Sequence, residues 1–326
     1  MKKLCLIMFA AWLGAQPAPL AAVELTVTEP SGLDRVDEPV TCGVPLPEGY
    51  AASADELILL AGSGQLPVEI REVSRWGDGS LSWVHLDFKI SVPASESKRL
   101  KLEKGTRENF ETKLEINDLG EVLEVKTGRI QARVRKAGFN VLDMVRVANE
   151  SGEYESTLIP HHGGGVVAWQ DSVAYRSSYD EDSELVVECS GPMRAVLRST
   201  GRLTTREGGE LLNYVCRLYF YNDSPVVRMA LSVENRDQVI RNKVELQGLH
   251  VEIPTLLRGN GMAFDIGMMT KDFQGIYGQS SALAFSQIND SEQAYVGSEM
   301  HWEQDESPKV AKSDRVGWGA LGAGAG

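Results

Sequence analysis

Apolar and polar residues alternate along much of this chain with a period of two, which is the pattern of half-buried β-strands. In the segment 81–90 every second residue from 84 onward is apolar and would share one strand face: Val84, Leu86, Phe88 and Ile90. Residues 69–76 form another β-rich run. The Gly77-Asp78-Gly79-Ser80 segment between the two runs predicts a β-hairpin, because an Asp-Gly turn tolerates positive φ.

Similar short runs recur over the rest of the chain, each bounded by Gly, Pro, Asn or Asp. They are the segments 23–28, 57–60, 120–126, 127–134, 185–189, 193–198, 211–221, 226–233 and 244–253. No segment of about 12 residues or more keeps a helical period. The pattern therefore predicts an all-β protein.

A charged stretch interrupts this pattern around residues 100–118. The segments 95–99 and 104–109 are rich in charge and poor in core-forming residues, which is typical of a linker. We therefore predict a smaller β domain over 23–115 and a larger one over 116–326, in agreement with a length of 326 residues. Because the chain ends in a Gly/Ala-rich tail, we expect the second domain to be truncated.

The N-terminal segment 1–22 is organised like a secretory signal peptide. Lys2 and Lys3 precede an apolar run, Leu4 to Ala15, that is too short to span a bilayer, and small residues follow at 18–22. We expect cleavage at the end of this segment and a secreted or periplasmic protein, with no membrane contact afterwards. An uncleaved membrane anchor is the alternative.

The charge balance argues against nucleic acid as a partner. The chain has 33 Lys and Arg against 46 Asp and Glu, a net charge of −13, so little would neutralise phosphates. Any anionic ligand would have to be bound by a local group of basic residues. The chain also has no G-x-S-x-G, no P-loop and no G-x-G-x-x-G ahead of a helical segment. Esterase, NTPase and dinucleotide-binding functions therefore lack support.

Three cysteines lie beyond the signal segment, at positions without metal or C-x-x-C spacing: Cys42, Cys189 and Cys216. Cys189 and Cys216 fall in neighbouring strand-like segments and could form a disulfide in an oxidising compartment. Small buried thiols are the alternative.

A row of arginines occupies alternate positions, with Gln131 inside the row: Arg129, Arg133 and Arg135. In a strand these side chains would line one face at a spacing of about 6.5–7 Å. Such a row could bind successive carboxylates of an acidic polysaccharide through bidentate hydrogen bonds. The alternative is a solvated sheet face whose arginines pair with nearby Asp and Glu.

Two segments carry side chains suited to acid–base catalysis. His161 and His162 precede three glycines in a loop, and histidine titrates near neutral pH. Tyr175 could take a proton and Arg176 could neutralise a carboxylate. The acidic run 180–182 lacks the spacing of a calcium loop, so no cofactor or metal is predicted and Ca²⁺ stays an open alternative. For both segments, a plain solvated loop is the alternative reading.

Two stretches of the chain resemble a known family. The first runs from Glu38-Pro39-Val40-Thr41-Cys42-Gly43-Val44-Pro45-Leu46-Pro47 to Arg75-Trp76-Gly77-Asp78-Gly79-Ser80 and Phe88. The second contains Gly191-Pro192-Met193-Arg194, Pro225-Val226-Val227-Arg228 and Val233-Glu234-Asn235. In this order they resemble the RGLX/YetA-like family, which includes exo-acting rhamnogalacturonan lyases of polysaccharide lyase family 26.

The resemblance implies a RIFT-type β barrel, then a β-sandwich, then an α/α toroid, which we expect to be missing here. It also implies β-elimination at a uronic acid, in which a base removes the C5 proton, the charge on the carboxylate is stabilised and the bond to O4 breaks. The matched motifs are framework motifs and identify no catalytic residue.

We therefore predict a secreted carbohydrate-active protein that acts on pectic uronate polysaccharide when complete. Its partner would be an acidic plant-type polysaccharide or oligosaccharide. Whether this chain alone is an enzyme stays open. The alternatives are a non-catalytic carbohydrate-binding or scaffold region and an accessory region of a glycoside hydrolase.

Overall fold

The computed structural model describes residues 22–256 except 31, 162 and 236–243, and after residue 256 the backbone of six strands between 262 and 323. The described residues form β-strands and two 3₁₀ turns, Ala54–Glu56 and Ser177–Tyr179. The all-β prediction is confirmed.

The N-terminal part of the fold contains seven strands. They are β1 (Val23–Thr28), β2 (Arg35–Pro45), β3 (Leu57–Ala61), β4 (Gly64–Leu66), β5 (Val68–Arg75), β6 (Leu81–Val92) and β7 (Ser97–Lys104). One sheet has the order β1-β7-β3-β4 and the other the order β2-β6-β5. The inward faces of both sheets bury a common apolar core that includes Leu59, Val84, Leu86 and Leu102.

The predicted hairpin is confirmed. Strands β5 and β6 pair antiparallel, and the Trp76 N–H donates to the Ser80 carbonyl across the turn at 2.8 Å. Gly79 adopts φ +87°, a conformation that favours glycine. The opposite face of β6 carries His85 and Asp87, and Asp87 is buried there at 2% exposure. The second domain covers that face.

The charged segment before residue 105 was wrongly assigned to the linker. Residues 97–104 form β7, which lies between β1 and β3 in the sheet. Leu100 and Leu102 alternate with the charged residues and are fully buried. Two apolar residues at alternate positions are thus enough to place a highly charged strand in a sheet, because only one of its faces meets the core.

The second group of strands builds a sandwich of two antiparallel sheets. They are β8 (Glu115–Asp118), β9 (Val122–Lys126), β10 (Ile130–Arg135), β11 (Met144–Ala148), β12 (Tyr154–Ile159), β13 (Gly165–Gln170), β14 (Val173–Arg176), β15 (Glu184–Ser190), β16 (Arg194–Thr204), β17 (Glu210–Tyr221), β18 (Val227–Glu234) and β19 (Gly248–Glu252). The sheet orders are β12-β11-β10-β9-β8 and β18-β17-β16-β14-β13-β19, with β15 paired to β16.

Strand β17 shows how the sequence builds this core. Its inward positions alternate with outward ones, and each is at most 6% exposed: Leu212, Tyr214, Cys216, Leu218 and Phe220. The Tyr214 ring stacks on Phe139 at a centroid distance of 5.6 Å. One face of β17 thus packs into the core of the sandwich, and the other face points away from the core and can carry polar groups.

Beyond the sandwich, six further strands form two small antiparallel sheets. They are β20 (Met262–Met268), β21 (Lys271–Tyr277), β22 (Leu283–Gln287), β23 (Ala294–Ser298), β24 (Val310–Ala311) and β25 (Trp318–Ala323). The orders are β21-β20-β25 and β22-β23-β24.

The three cysteines beyond residue 22 are free thiols. Cys189 and Cys216 are not bonded to each other; Cys216 is buried, as the thiol alternative expects, whereas Cys42 and Cys189 are partly exposed. Cys216 lies in the sandwich core, where burial raises its pKa to about 12. Within the part of the chain that the structure describes, no helix has the length and apolar character needed to cross a bilayer.

Candidate functional site

The sandwich holds a histidine–carboxylate pair at the loop between β12 and β13. His161 lies in this loop, and its Nδ1 is 3.0 Å from Asp143 Oδ2. Asn140 Nδ2 donates to the other carboxylate oxygen at 3.0 Å, and the Asp143 backbone N–H donates to the Arg133 carbonyl at 2.8 Å. The Asp143 side chain is 6% exposed and that of His161 is 47% exposed. A fixed, buried carboxylate therefore orients a solvent-accessible imidazole.

Asp143 is a carboxylate at neutral pH. Burial raises its pKa, but hydrogen bonds from His161 and Asn140 and the charge of Arg135 outweigh burial, and the pKa lies below its ordinary value. A carboxylate on Nδ1 fixes the tautomer of an imidazole and stabilises the imidazolium formed when the ring accepts a proton. The pair has the arrangement of a general base.

Arg135 lies near this pair. Its Nε donates to the Ala137 carbonyl at 3.2 Å. The neighbouring Gly138 has φ +62°, and an ideal Cβ there would lie 3.8 Å from Arg135 Nη2 and 3.4 Å from Glu181 Oε1. The charge of Arg135 contributes to the lowered pKa of Asp143, after the hydrogen bonds and charge of His161. Among the candidates predicted from sequence, His161 contacts Asp143 directly, and Arg135 acts on Asp143 through its charge.

Arg176 belongs to a different arrangement. The register of β14, β13 and β19 places Arg176 and His250 on either side of Val167. Arg176 forms a two-pronged ion pair with Glu252, and His250 Nε2 is 3.2 Å from the same carboxylate. Burial raises the pKa of Glu252, but these contacts outweigh burial and lower it overall. Arg176 therefore already has a carboxylate partner.

Two catalytic candidates remain, Tyr175 and His162. Tyr175 alternates with Arg176 along β14 and packs against the sandwich core. His162 lies outside the described residues. Asp180 supports the local backbone, since its carboxylate accepts from the N–H groups of Arg202 and Asp182. Among the described residues, no group of three or more His, Cys, Asp or Glu side chains could hold a metal ion.

The other two arginines of the row form ion pairs within the protein. Arg129 precedes β10, and its Nε is 2.9 Å from Asp223 Oδ1. Arg133 lies opposite Glu124 in the β9–β10 register, with Nε 2.9 Å from Oε2. The arginines thus pair with Asp and Glu as the alternative expects, although Glu124 is buried and not solvated. The substrate-binding role of the row stays a prediction.

Sequence reasoning missed a second polar cluster, at the junction of the two domains. Arg71 of β5 donates through Nη2 to Asp87 Oδ2 and to His85 Nδ1, each at 3.1 Å, and through Nη1 to Cys189 Sγ at 3.3 Å. From the sandwich side, Arg194 Nε is 3.0 Å from Asp87 Oδ1. The only sequence signal was the polar alternation that placed His85 and Asp87 on one face of β6.

Glu69 completes this junction cluster. Its carboxylate lies 3.4 Å from Arg71 Nε and accepts the Met193 backbone N–H at 3.1 Å. Burial raises the pKa of Glu69. Burial also lowers the pKa of His85, assisted by the charges of Arg71 and Arg194 and opposed by Asp87. Because a guanidinium can only donate, the Arg71 contact requires His85 Nδ1 to be an unprotonated acceptor.

The comparisons with known proteins connect the two domains to one family. A model of the PcRGLX-like N-terminal RIFT barrel domain matches residues 26–105, and a model of the PcRGLX-like protein central beta sandwich domain matches residues 114–280. No curated protein matches the chain.

Two solved structures from Enterococcus faecalis are similar to the chain, a protein in the glycosyl hydrolase family 38 and an alpha-mannosidase. Each is 11% identical and covers 84% of this chain, with TM-scores of 0.48 and 0.47. The chain spans 38% and 37% of their lengths.

Proposed function

The chain belongs to the PcRGLX-like family, and from this premise we propose that it forms part of a secreted protein that binds and cleaves acidic pectic polysaccharide by β-elimination. The family is rhamnogalacturonan-lyase-like and therefore carbohydrate-active. The observation that supports a site within this chain is the pair of His161 with the buried Asp143, whose pKa the charge of Arg135 helps to lower.

β-Elimination at a uronic acid needs a base and a cation. In the proposed reaction the His161 imidazole takes the C5 proton through Nε2, while Asp143 holds Nδ1 and stabilises the imidazolium. The electron pair of the C5–H bond forms the C4–C5 double bond, and the C4–O4 bond breaks. The leaving O4 takes up a proton from solvent water and ends as a hydroxyl, and the His161 imidazolium then releases the C5 proton to solvent.

Arg135 has the charge that this reaction requires. As the C5 proton leaves, negative charge develops on the uronate carboxylate, and a positioned guanidinium stabilises it through charge-assisted hydrogen bonds. The Ala137 carbonyl occupies Nε of Arg135. We therefore assign the two Nη groups to the substrate carboxylate.

The test is the appearance of unsaturated uronate from rhamnogalacturonan in the full-length protein. His161→Gln should lower kcat by about 10²-fold or more, since general base catalysis contributes at least this much. The matched control is His250→Gln, an exposed histidine that also contacts a carboxylate, and it should keep the wild-type rate.

Three results would change the proposal. Equal rates for wild type and His161→Gln would remove His161 as the base. Binding of the polysaccharide without any unsaturated product would favour the non-catalytic binding function. Neither product nor binding would overturn the proposed function altogether.

A further inference from the structure

The outer face of the larger sandwich sheet carries a group of arginines around a tyrosine. Strands β16 and β17 turn alternate residues away from the core, and their register pairs Arg198 with Arg217 and Val196 with Tyr219. On the next strand, β18, Arg228 lies opposite Tyr219. We name Arg198, Arg217, Arg228 and Tyr219 together the arginine face.

The positive charges of this face exceed the negative charges near it. Arg217 donates to both oxygens of Glu188, at 2.6 and 2.8 Å, and Arg198 Nε is 3.4 Å from the same carboxylate. Two arginines thus share one acid. No carboxylate of the described residues lies within ion-pair distance of Arg228. The local excess of positive charge on this face is opposite in sign to the net charge of the whole chain, which is −13.

Tyr219 holds two guanidinium groups near its ring. The Cζ atoms of Arg194 and Arg228 are each 5.7 Å from the ring centroid. Arg194 is neutralised by Asp87 at the domain junction, whereas Arg228 is exposed. The tyrosine therefore orders a cation at the surface and joins the arginine face to the junction cluster.

Two of these arginines face each other across neighbouring strands, with Glu188 as their shared partner. Like charges directly opposite each other on neighbouring strands are destabilising, and Arg198 and Arg217 stand in this relation. Their side chains are 33% and 37% exposed, so they are partly held in place by packing. Glu188 offsets part of the repulsion between these arginines, and a bound anion would offset more of it.

We propose that the arginine face binds a carboxylate-bearing sugar chain, as a surface separate from the His161 site. The guanidinium fork matches a carboxylate in geometry and charge, and the Tyr219 ring presents an apolar surface on which a sugar ring can pack. That the ligand is a sugar rests on the proposed function. That it is an anion rests on the arginines alone.

The experiment is a calorimetric titration of the full-length protein with an oligogalacturonate. The double variant Arg217→Gln/Arg228→Gln should bind about tenfold more weakly for each arginine removed. The control is Arg202→Gln, which removes the same charge from β16, where Arg202 forms an exposed ion pair with Glu210. This variant should bind like wild type. The wild-type affinity should fall as salt is added.

Further arms separate this proposal from the proposed function. The arginine double variant should lose more affinity for the oligogalacturonate than His161→Gln does, and equal losses in the two variants would overturn a separate surface. Polyglutamate should bind more weakly than the oligogalacturonate. Equal affinity for the two ligands would mean that the arginine face binds anions in general, and it would overturn the assignment to a sugar. Unchanged affinity in the double variant, or no binding by wild type, would overturn the arginine face as a binding surface. The proposed function has a separate test, which is elimination from rhamnogalacturonan.

Discussion

At the scale of single residues, one glycine sets how closely the two domains approach. An ideal Cβ at Gly191 would lie 2.1 Å from Glu69 Oε1 and 2.2 Å from Oε2. Glu69 is held by the Met193 N–H and by Arg71, so its carboxylate has little freedom to move away. The absence of a side chain at this position is therefore part of the domain contact.

Replacement of this glycine should destabilise the protein. Because the added methyl group must displace a buried carboxylate, we expect Gly191→Ala to lower the free energy of unfolding by about 2 kcal/mol. Urea unfolding measures the change. Gly77→Ala is the control, since nothing lies within 4 Å of its added Cβ, and it should stay within about 0.5 kcal/mol of wild type. Equal stability of the two variants would contradict a tight contact at Gly191.

The histidine–carboxylate pair also shows what residue patterns can predict. His161 was identified because a histidine pair in a glycine-rich loop suits acid–base chemistry. Asp143 was missed, because it gives no signal until the β12–β13 loop folds back onto the residues ahead of β11. The chemistry of one side chain is visible in the sequence, whereas its partner depends on the fold.

At the scale of elements, the pairing of β9 with β10 places Arg133 against a buried acid. Glu124 is 5% exposed and lies directly opposite Arg133 in the register. A carboxylate buried in a sheet needs a cation or hydrogen-bond donors to offset its desolvation. Arg133 therefore stabilises this sheet, whatever its part in binding.

Loss of Arg133 should be costly for this reason. We expect Arg133→Ala to lower the free energy of unfolding by about 1–3 kcal/mol, because Glu124 would be left buried without its partner. Arg129→Ala removes a more exposed ion pair and should cost less than about 1 kcal/mol. Thermal or urea unfolding of both variants gives the comparison. An Arg133→Ala variant as stable as Arg129→Ala would show that Glu124 finds another donor.

At the scale of the whole molecule, buried charge joins the two domains. Asp87 of the barrel lies between Arg71 on its own sheet and Arg194 of the sandwich. Removing one member of a buried ionic group leaves the others uncompensated. The domain junction therefore depends on pH through two titratable groups that face it, Glu69 and His85.

The pKa of His85 determines the direction in which its contribution to stability changes with pH. Burial lowers the pKa of His85 in the folded protein below the ordinary value for histidine, about 6.5. The unfolded chain therefore binds a proton more readily, and the contribution of His85 to stability, complete above that value, decreases as the pH falls through it. The raised pKa of Glu69 acts in the opposite sense, so the effect of His85 must be isolated by substitution.

We expect His85→Gln to weaken the loss of stability on acidification. Between roughly pH 7.5 and pH 5.5, the range in which histidine titrates, wild type should lose more of its free energy of unfolding than the variant. Urea unfolding at several pH values measures both curves. His250→Gln, at an exposed site of the sandwich, is the control and should follow the wild-type curve. Parallel curves for wild type and His85→Gln would contradict a proton-sensitive junction.

The sequence by itself determined the class of fold and the family. Period-two alternation predicts strands because successive side chains of a strand face opposite sides, and this relation is local. The hairpin at residues 76–80 was predictable for the same reason, since its turn needs specific residues at adjacent positions. The strand Ser97–Lys104 was missed because its charges masked two alternating leucines.

Only the tertiary structure decided which polar side chains meet. Arg71 and Cys189 are 118 positions apart in the sequence, and Glu69 reaches Met193 over a similar separation. The arginine face likewise combines residues of three strands through their register. Ion pairs and hydrogen bonds act over a few ångströms in space. The distance between two strands that are far apart in the sequence is set only when the sheets pack, so a local sequence pattern cannot predict which side chains meet.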